Sequence, residues 1–180
     1  MVHAAPEPAQ EFPGEVIAVT PGDQVTVSVT IAVEPAAAFR VFTEETDLWW
    51  QRGPAYRAGG RNPGTLCFEP RLGGRLFESF EGADGPKLIE FGHITAWEPP
   101  SLLMFEWRSV TFKPGERTEV EVRFEPMAAG TQVTVIHRGW AALRPDHPVR
   151  HGQAAPAFIG NMGMWWTRLL KALRDHAEKR

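Results

Sequence analysis

The sequence predicts an α+β domain: a curved antiparallel sheet of seven strands wrapped around one long C-terminal helix, with two short helices between the first and second strands. Three observations predict it. Residues 25–33 (VTVSVTIAV) alternate apolar with small polar side chains, the pattern of a half-buried strand. Six further extended runs follow between residues 65 and 139, joined by short turns rich in Gly and Pro, so neighbours are expected to be antiparallel. Residues 156–180 place Phe158, Met162, Trp165, Trp166, Leu169, Leu170 and Leu173 on one helical face, and Thr167, Arg168, Lys171, Arg174, Asp175 and Glu178 on the other.

Residues 1–22 carry four prolines and read as a loose tail with a short strand at 15–20; residues 23–180 read as a single domain. After the first strand, Pro35 opens a short helix with Phe39 and Phe42 on one side. Residues 44–51 (EETDLWWQ) form a second, leading into a Gly/Pro-rich loop at 53–64. Strands 65–70 and 75–81 are joined through Arg71-Leu72-Gly73-Gly74. Strand 87–97 ends at Pro99-Pro100, and strand 102–112 passes through Lys113-Pro114-Gly115 into 118–126. Ala129-Gly130 turns into the last strand, 131–139. Pro156 suits the first turn of the final helix, where its missing N–H costs nothing. Gly160 and Gly163 weaken that helix by about 1 kcal/mol each relative to Ala, so tertiary packing must hold it.

A net charge of −3 with no basic cluster argues against a nucleic-acid partner. No apolar run approaches the roughly 20 residues of a membrane span, and the first residues lack the features of a secretory signal, so a cytoplasmic location is expected. Cys67 is the single cysteine, which excludes an intrachain disulfide and a cysteine zinc cluster and suits a buried small hydrophobe. His147 and His151 stand at metal-ligand spacing, but the surrounding prolines and the shortage of acids argue against a metal; no metal or cofactor is expected. Seven Trp and eleven Phe suit both a core and a cavity for an apolar ligand.

Several stretches carry a family resemblance. They are Ala38-Phe39-Arg40-Val41-Phe42-Thr43 with Trp49-Trp50, Glu69-Pro70-Arg71-Leu72-Gly73-Gly74-Arg75, and Gly92 with Trp97-Glu98-Pro99-Pro100. Leu103-Met104-Phe105-Glu106-Trp107, Thr118-Glu119-Val120-Glu121-Val122, Gly130-Thr131, His137-Arg138-Gly139-Trp140 and the Trp/Leu pattern of the last helix complete the set. In this order, over residues 24–177, the chain resembles the START-like (SRPBCC, helix-grip) superfamily, which includes the birch-pollen allergen. Within it, the chain is similar to the homologues of the activator of the ninety-kilodalton heat-shock chaperone's ATPase. The resemblance implies the helix-grip fold. It also implies one of three roles: a binder of apolar small molecules, a chaperone-associated interaction module that regulates the chaperone ATPase, or an enzyme of cyclase or hydrolase type. The chain departs from the family in its first twenty-odd residues and in the proline-containing connection 141–155. It also lacks the N-terminal domain that accompanies the chaperone-stimulating activator, which weighs against the chaperone role.

Strand alternation nominates the residues that face the helix. Thr131, Val133, Val135 and His137 share one side of the last strand, and Leu76, Glu78 and Phe80 share one side of theirs. Leu103, Phe105 and Trp107 form another inward set, as do Val120, Val122 and Phe124. The expected ligand cavity is lined by Trp49, Trp50, Leu76, Glu78, Phe80, Phe105, Trp107, Val122, Val135, His137, Met162 and Trp166. Trp49-Trp50 reads either as packing beneath the short helices or as a wall beside a mobile flap at 53–64. His137 is either a general base or polar anchor, or a structural histidine. Glu78, as a buried carboxylate, needs a partner; it belongs either to a structural ion pair or to a catalytic acid. Glu78 and His137 form the one inward acid/base combination and are expected to couple without catalysing a reaction. The Gly73-Gly74 pair is read as a turn requirement, not a phosphate loop. The leading reading is binding of a hydrophobic small molecule between sheet and helix, with no established reaction.

Overall fold

The computed structural model describes residues 16–20 and 23–179. Eight strands form one antiparallel sheet: β1 (Val16–Thr20), β2 (Gln24–Ile31), β3 (Thr65–Phe68), β4 (Arg75–Phe80), β5 (Lys87–Glu98), β6 (Leu102–Trp107), β7 (Thr118–Met127) and β8 (Gly130–Arg138). Their spatial order is β1-β2-β8-β7-β6-β5-β4-β3. The seven expected strands are all present. The eighth, β1, pairs with β2 and lies ahead of the boundary drawn at residue 23; the part of the expected tail at residues 1–15 lies outside the described residues. The links from β3 to β8 run from two to ten residues, the longest being 108–117 between β6 and β7, while β2 and β8 pair across the whole meander, so β2 becomes the strand beside the last one.

Helices α1 (Pro35–Glu44) and α2 (Thr46–Trp49) follow β2, and α3 (Ala155–Ala177) closes the chain. Pro35 occupies the first turn of α1, and α3 likewise begins with a proline in its first turn. Neither helix has a side-chain N-cap, so packing supplies the stability that capping does not. The buried face of α3 comprises Phe158, Ile159, Gly163, Trp166, Leu169, Leu170, Leu173 and Ala177, with Met162 and Trp165 half-buried beside it. It lies on the concave side of the sheet, against β2, α1 and α2. Inward side chains of β2, β6, β7 and β8 meet it: Val25, Val27, Val29, Leu103, Phe105, Val120, Val122, Val133 and Val135 are all essentially inaccessible.

Two irregularities in β5 matter for the interior. One extra residue, Phe91, is accommodated opposite the Leu76/Phe77 step of β4, and another, Thr95, opposite the β6 pairing. The first bulge leaves β4 in phase, so Leu76 and Glu78 remain inward, while Phe91 is buried and stacks on Trp107 at 5.2 Å.

Candidate functional site

A run of rings crosses the interior from the 53–64 loop to the connection before α3. Tyr56 stacks on Trp165 (5.6 Å, 14°), and Trp165 meets Trp50, Trp107 and Trp166 edge-on at 5.7, 6.0 and 5.0 Å. Trp50 in turn stacks on Trp107 at 5.9 Å. His137 contacts Trp107, Trp166 and Trp140, and Trp140 contacts Phe158. Tyr56 and Trp165 are half-buried, and the remaining rings of this run are buried. The cluster therefore has an outer end beside the loop and an inner end at His137.

The loop is tied at both of its sides. Arg57, with its side chain fully enclosed, donates to Asp47 Oδ1 (2.7 Å) and to the main-chain carbonyls of Asp47, Trp50, Gln51 and Gly64. Asp47 also accepts from the Leu66 N–H at 2.9 Å. Burial pushes the Asp47 carboxyl up, but that N–H and the Arg57 guanidinium outweigh it, and the net shift is downward. Glu78 is fully buried and accepts from the N–H groups of Ala58 (2.7 Å), Gly59 (3.4 Å) and Gly64 (2.8 Å). At two of these three positions the main chain runs too close for a side chain: a Cβ at Gly64 would collide with Ser79 O, and one at Gly59 with the Phe80 ring. Toward the tip, Trp50 Nε1–H donates to Tyr56 O and Trp165 Nε1–H to Ala55 O, at 3.1 and 2.8 Å. The flap is thus fastened to β4 and α2 through charged side chains, and to α3 through one indole and one stacked ring.

At the inner end, His137 sits in a chain of hydrogen bonds whose polarity is fixed. An indole N–H can only donate, so Trp166 Nε1–H donates to His137 Nδ1 at 3.0 Å. The imidazole proton is then on Nε2 and donates to Thr118 Oγ1 at 2.8 Å. The Thr118 hydroxyl in turn donates to the Trp107 carbonyl at 3.2 Å. Burial pushes the ring's pKa down to about 3, so the histidine is neutral with both nitrogens engaged. Thr118 and Trp166 have 2% and 0% exposure, which keeps water from replacing either partner.

Alternation correctly turned both Glu78 and His137 inward, but the expected coupling between them is not formed. Glu78 is held by loop N–H groups and His137 by Thr118 and Trp166, with no hydrogen bond or ion pair joining the two. The reason is topological: β4 lies near one end of the sheet, with β5, β6 and β7 between it and β8. Of the other nominated residues, Trp50, Trp107 and Trp166 meet in the ring cluster. Trp49 points instead beneath α1, against Phe42 at 5.0 Å, with its N–H on Val41 O. Phe105 packs on Phe68, Phe80 lies under Gly59 and Gly64, and Leu76, Val122 and Val135 are inaccessible core. Met162 is half-buried against the same core. The nomination missed Tyr56, Trp165, Thr118, Asp47 and Arg57. The lone tyrosine and the arginine inside a Gly/Pro loop were signals of a kind. Thr118 offered none, because its role depends on a register across strands. Cys67 is half-buried, and no group of His, Cys, Asp and Glu among the described residues is arranged to hold a metal.

Residues 32–174 match the family model described as Activator of Hsp90 ATPase homolog 1-like protein. The chain belongs to this family. Solved structures sharing the helix-grip fold include a Mesorhizobium loti protein, 19% identical with a TM-score of 0.58, over 87% of this chain and 97% of that one. A Staphylococcus aureus protein of unknown function is 14% identical with a TM-score of 0.62, over 87% and 93%. A Rhodobacter sphaeroides protein is 16% identical with a TM-score of 0.59, over 91% and 97%. At these identities the likeness shows the fold alone. No curated protein matches the chain by sequence. Membership of the Hsp90 ATPase activator homologue family supports a ligand-binding or chaperone-related module. Among the described residues, no helix is long and apolar enough to cross a membrane.

Proposed function

We propose that this family member binds an apolar small molecule beneath the 53–64 loop, between the sheet and α3. The observation that carries the reading is the graded aromatic run. Tyr56 and Trp165, half-buried and stacked on each other, lead inward to buried Trp50, Trp107 and Trp166. Rings at such an entrance offer large apolar faces at little conformational cost, and the indole N–H groups that would otherwise face the ligand are already bonded to loop carbonyls. A ligand entering here displaces the Tyr56–Trp165 stack and the Trp165–Ala55 hydrogen bond, while Arg57 and Glu78 keep the far side of the loop in place. Of the other residues nominated as lining, Leu76, Phe105, Val122, Val135 and Met162 belong to the core that surrounds the rings.

An acid/base enzyme at Glu78 and His137 is not favoured. Each imidazole nitrogen is engaged, and both Glu78 oxygens accept from main-chain N–H groups. The chaperone-related role rests on the family description, and the binding reading has the geometric support. Its test is titration with the uncharged fluorophore N-phenyl-1-naphthylamine, read by quenching of tryptophan emission. Wild type should bind saturably, and Trp165→Ala should weaken binding about tenfold or more, which corresponds to about 1.4 kcal/mol. Absence of binding, or equal affinity in the folded variant, would overturn the proposal.

A further inference from the structure

Three buried side-chain nitrogens among the described residues lack a hydrogen-bond partner: Trp140 Nε1, His147 Nε2 and Arg150 Nε. Folded proteins contain few such groups, and each calls for an explanation. All three fall within eleven consecutive positions of the connection that precedes α3. His147 has one: its Nδ1 accepts from the Val149 N–H at 3.1 Å, and its Nε2 lies 3.2 Å from Glu116 Oε2 in ion-pair geometry.

The other two do not. Arg150 is 8% exposed, yet its guanidinium bonds only to main-chain carbonyls, Trp140 O at 2.8 Å and Leu143 O at 3.4 Å. Arg57, the comparable buried arginine, has the Asp47 carboxylate at 2.7 Å. Among the described residues Arg150 has no carboxylate within ion-pair distance. The Phe158 ring lies 5.9 Å from its central carbon, but a ring engages the face of a guanidinium and leaves the in-plane Nε–H unmet. Trp140, 1% exposed, packs on the same ring at 5.0 Å, so both side chains border Phe158.

We propose that Trp140, Arg150 and Phe158 form a carboxylate-binding subsite in which Trp140 Nε1–H and Arg150 Nε–H donate to the anion's oxygens. Water would supply acceptors but no counter-charge, and a largely buried guanidinium without one is costly. One unpaired positive charge matches a monoanion. The Glu116 carboxylate beside His147 is already paired with Arg144, so that pair adds no net charge to the site. The segment carrying the site consists of 3-10 turns and bends, with Ala141, Ala142 and residues 151–154 exposed. This subsite does not depend on the ligand site under the loop. The anion is either a free small carboxylate or the acidic end of a longer molecule.

The experiment follows the Trp140 indole and Arg150 Nε–H resonances of the whole chain by NMR. Sodium acetate, sodium octanoate or phosphate is titrated in turn, with chloride holding ionic strength constant. Both resonances should shift saturably with the two carboxylates, and more weakly with phosphate. Trp140→Phe, which keeps the ring, should weaken acetate binding about fivefold, and Arg150→Gln about tenfold or more, as for charge-assisted hydrogen bonds. Tighter octanoate than acetate binding would identify the acidic end of a longer molecule, and equal affinities a free small carboxylate. The proposal is overturned by static resonances with both carboxylates, by unchanged acetate affinity in Trp140→Phe, or by tighter binding of phosphate. If Arg150→Gln does not fold, Trp140→Phe alone decides.

Discussion

Lowering the pH from 7 to 5 should destabilise this protein through His137. In the unfolded chain a histidine takes up a proton near pH 6.5, whereas in the fold its pKa lies at about 3. A group depressed in this way contributes its full stability above pH 6.5. That contribution falls as pH drops toward 3, because the unfolded state then binds the extra proton. Each pH unit in the window is worth about 1.36 kcal/mol, so His137 alone removes about 2 kcal/mol by pH 5 and about 4 kcal/mol by pH 3. His147, drawn below its ordinary value by burial against the opposing Glu116 carboxylate, adds a loss of the same sign. The lowered carboxylates Glu69 and Glu116, each at about 2, act only where unfolded glutamates begin to protonate, below about pH 5. Urea unfolding at half-unit steps from pH 8 to 5 gives the slope, and nitrogen NMR of the His137 ring gives its tautomer. The ring should stay neutral and protonated at Nε2 throughout. A His137 titration midpoint near 6.5, or stability flat from pH 7 to 5, would mean that burial does not hold the ring neutral.

Two further predictions concern packing and the loop. Trp166→Phe should cost about 1–3 kcal/mol, because His137 Nδ1 loses its donor in a dry interior, and Trp166→Ala about 3–5 kcal/mol. Lys171→Ala, on the exposed face with only the Asp175 pair to lose, should stay within about 0.5 kcal/mol in the same urea assay. Glu78→Gln replaces two accepting oxygens with one, so amide exchange at Ala58 or Gly64 should accelerate about tenfold or more, read by hydrogen-exchange mass spectrometry. Unchanged exchange at both would mean that Glu78 does not fasten the loop.

Periodicity made the scaffold legible. The α3 face, the order of strands and the inward turn of Glu78 and His137 all follow from spacing of 3.6 or 2 residues. What escaped were partners set by register and by main-chain approach. Thr118 reaches His137 because β7 and β8 pair, and Trp166 reaches it because α3 crosses that point of the sheet. Glu78 is satisfied by the N–H groups of a loop, and main-chain donors leave no residue signature. Only Gly59 and Gly64, where a side chain would collide, mark the approach. Phe91 illustrates the same limit, since a one-residue bulge buries a side chain that strict alternation along β5 would have misplaced.

Native mass spectrometry of freshly purified protein tests the binding reading most directly. A fraction of the protein should carry an added mass that dissociates as an apolar compound, or that forms on incubation with N-phenyl-1-naphthylamine, and that is depleted in Trp165→Ala. The bare chain mass before and after incubation, in protein that is folded by circular dichroism, would contradict it.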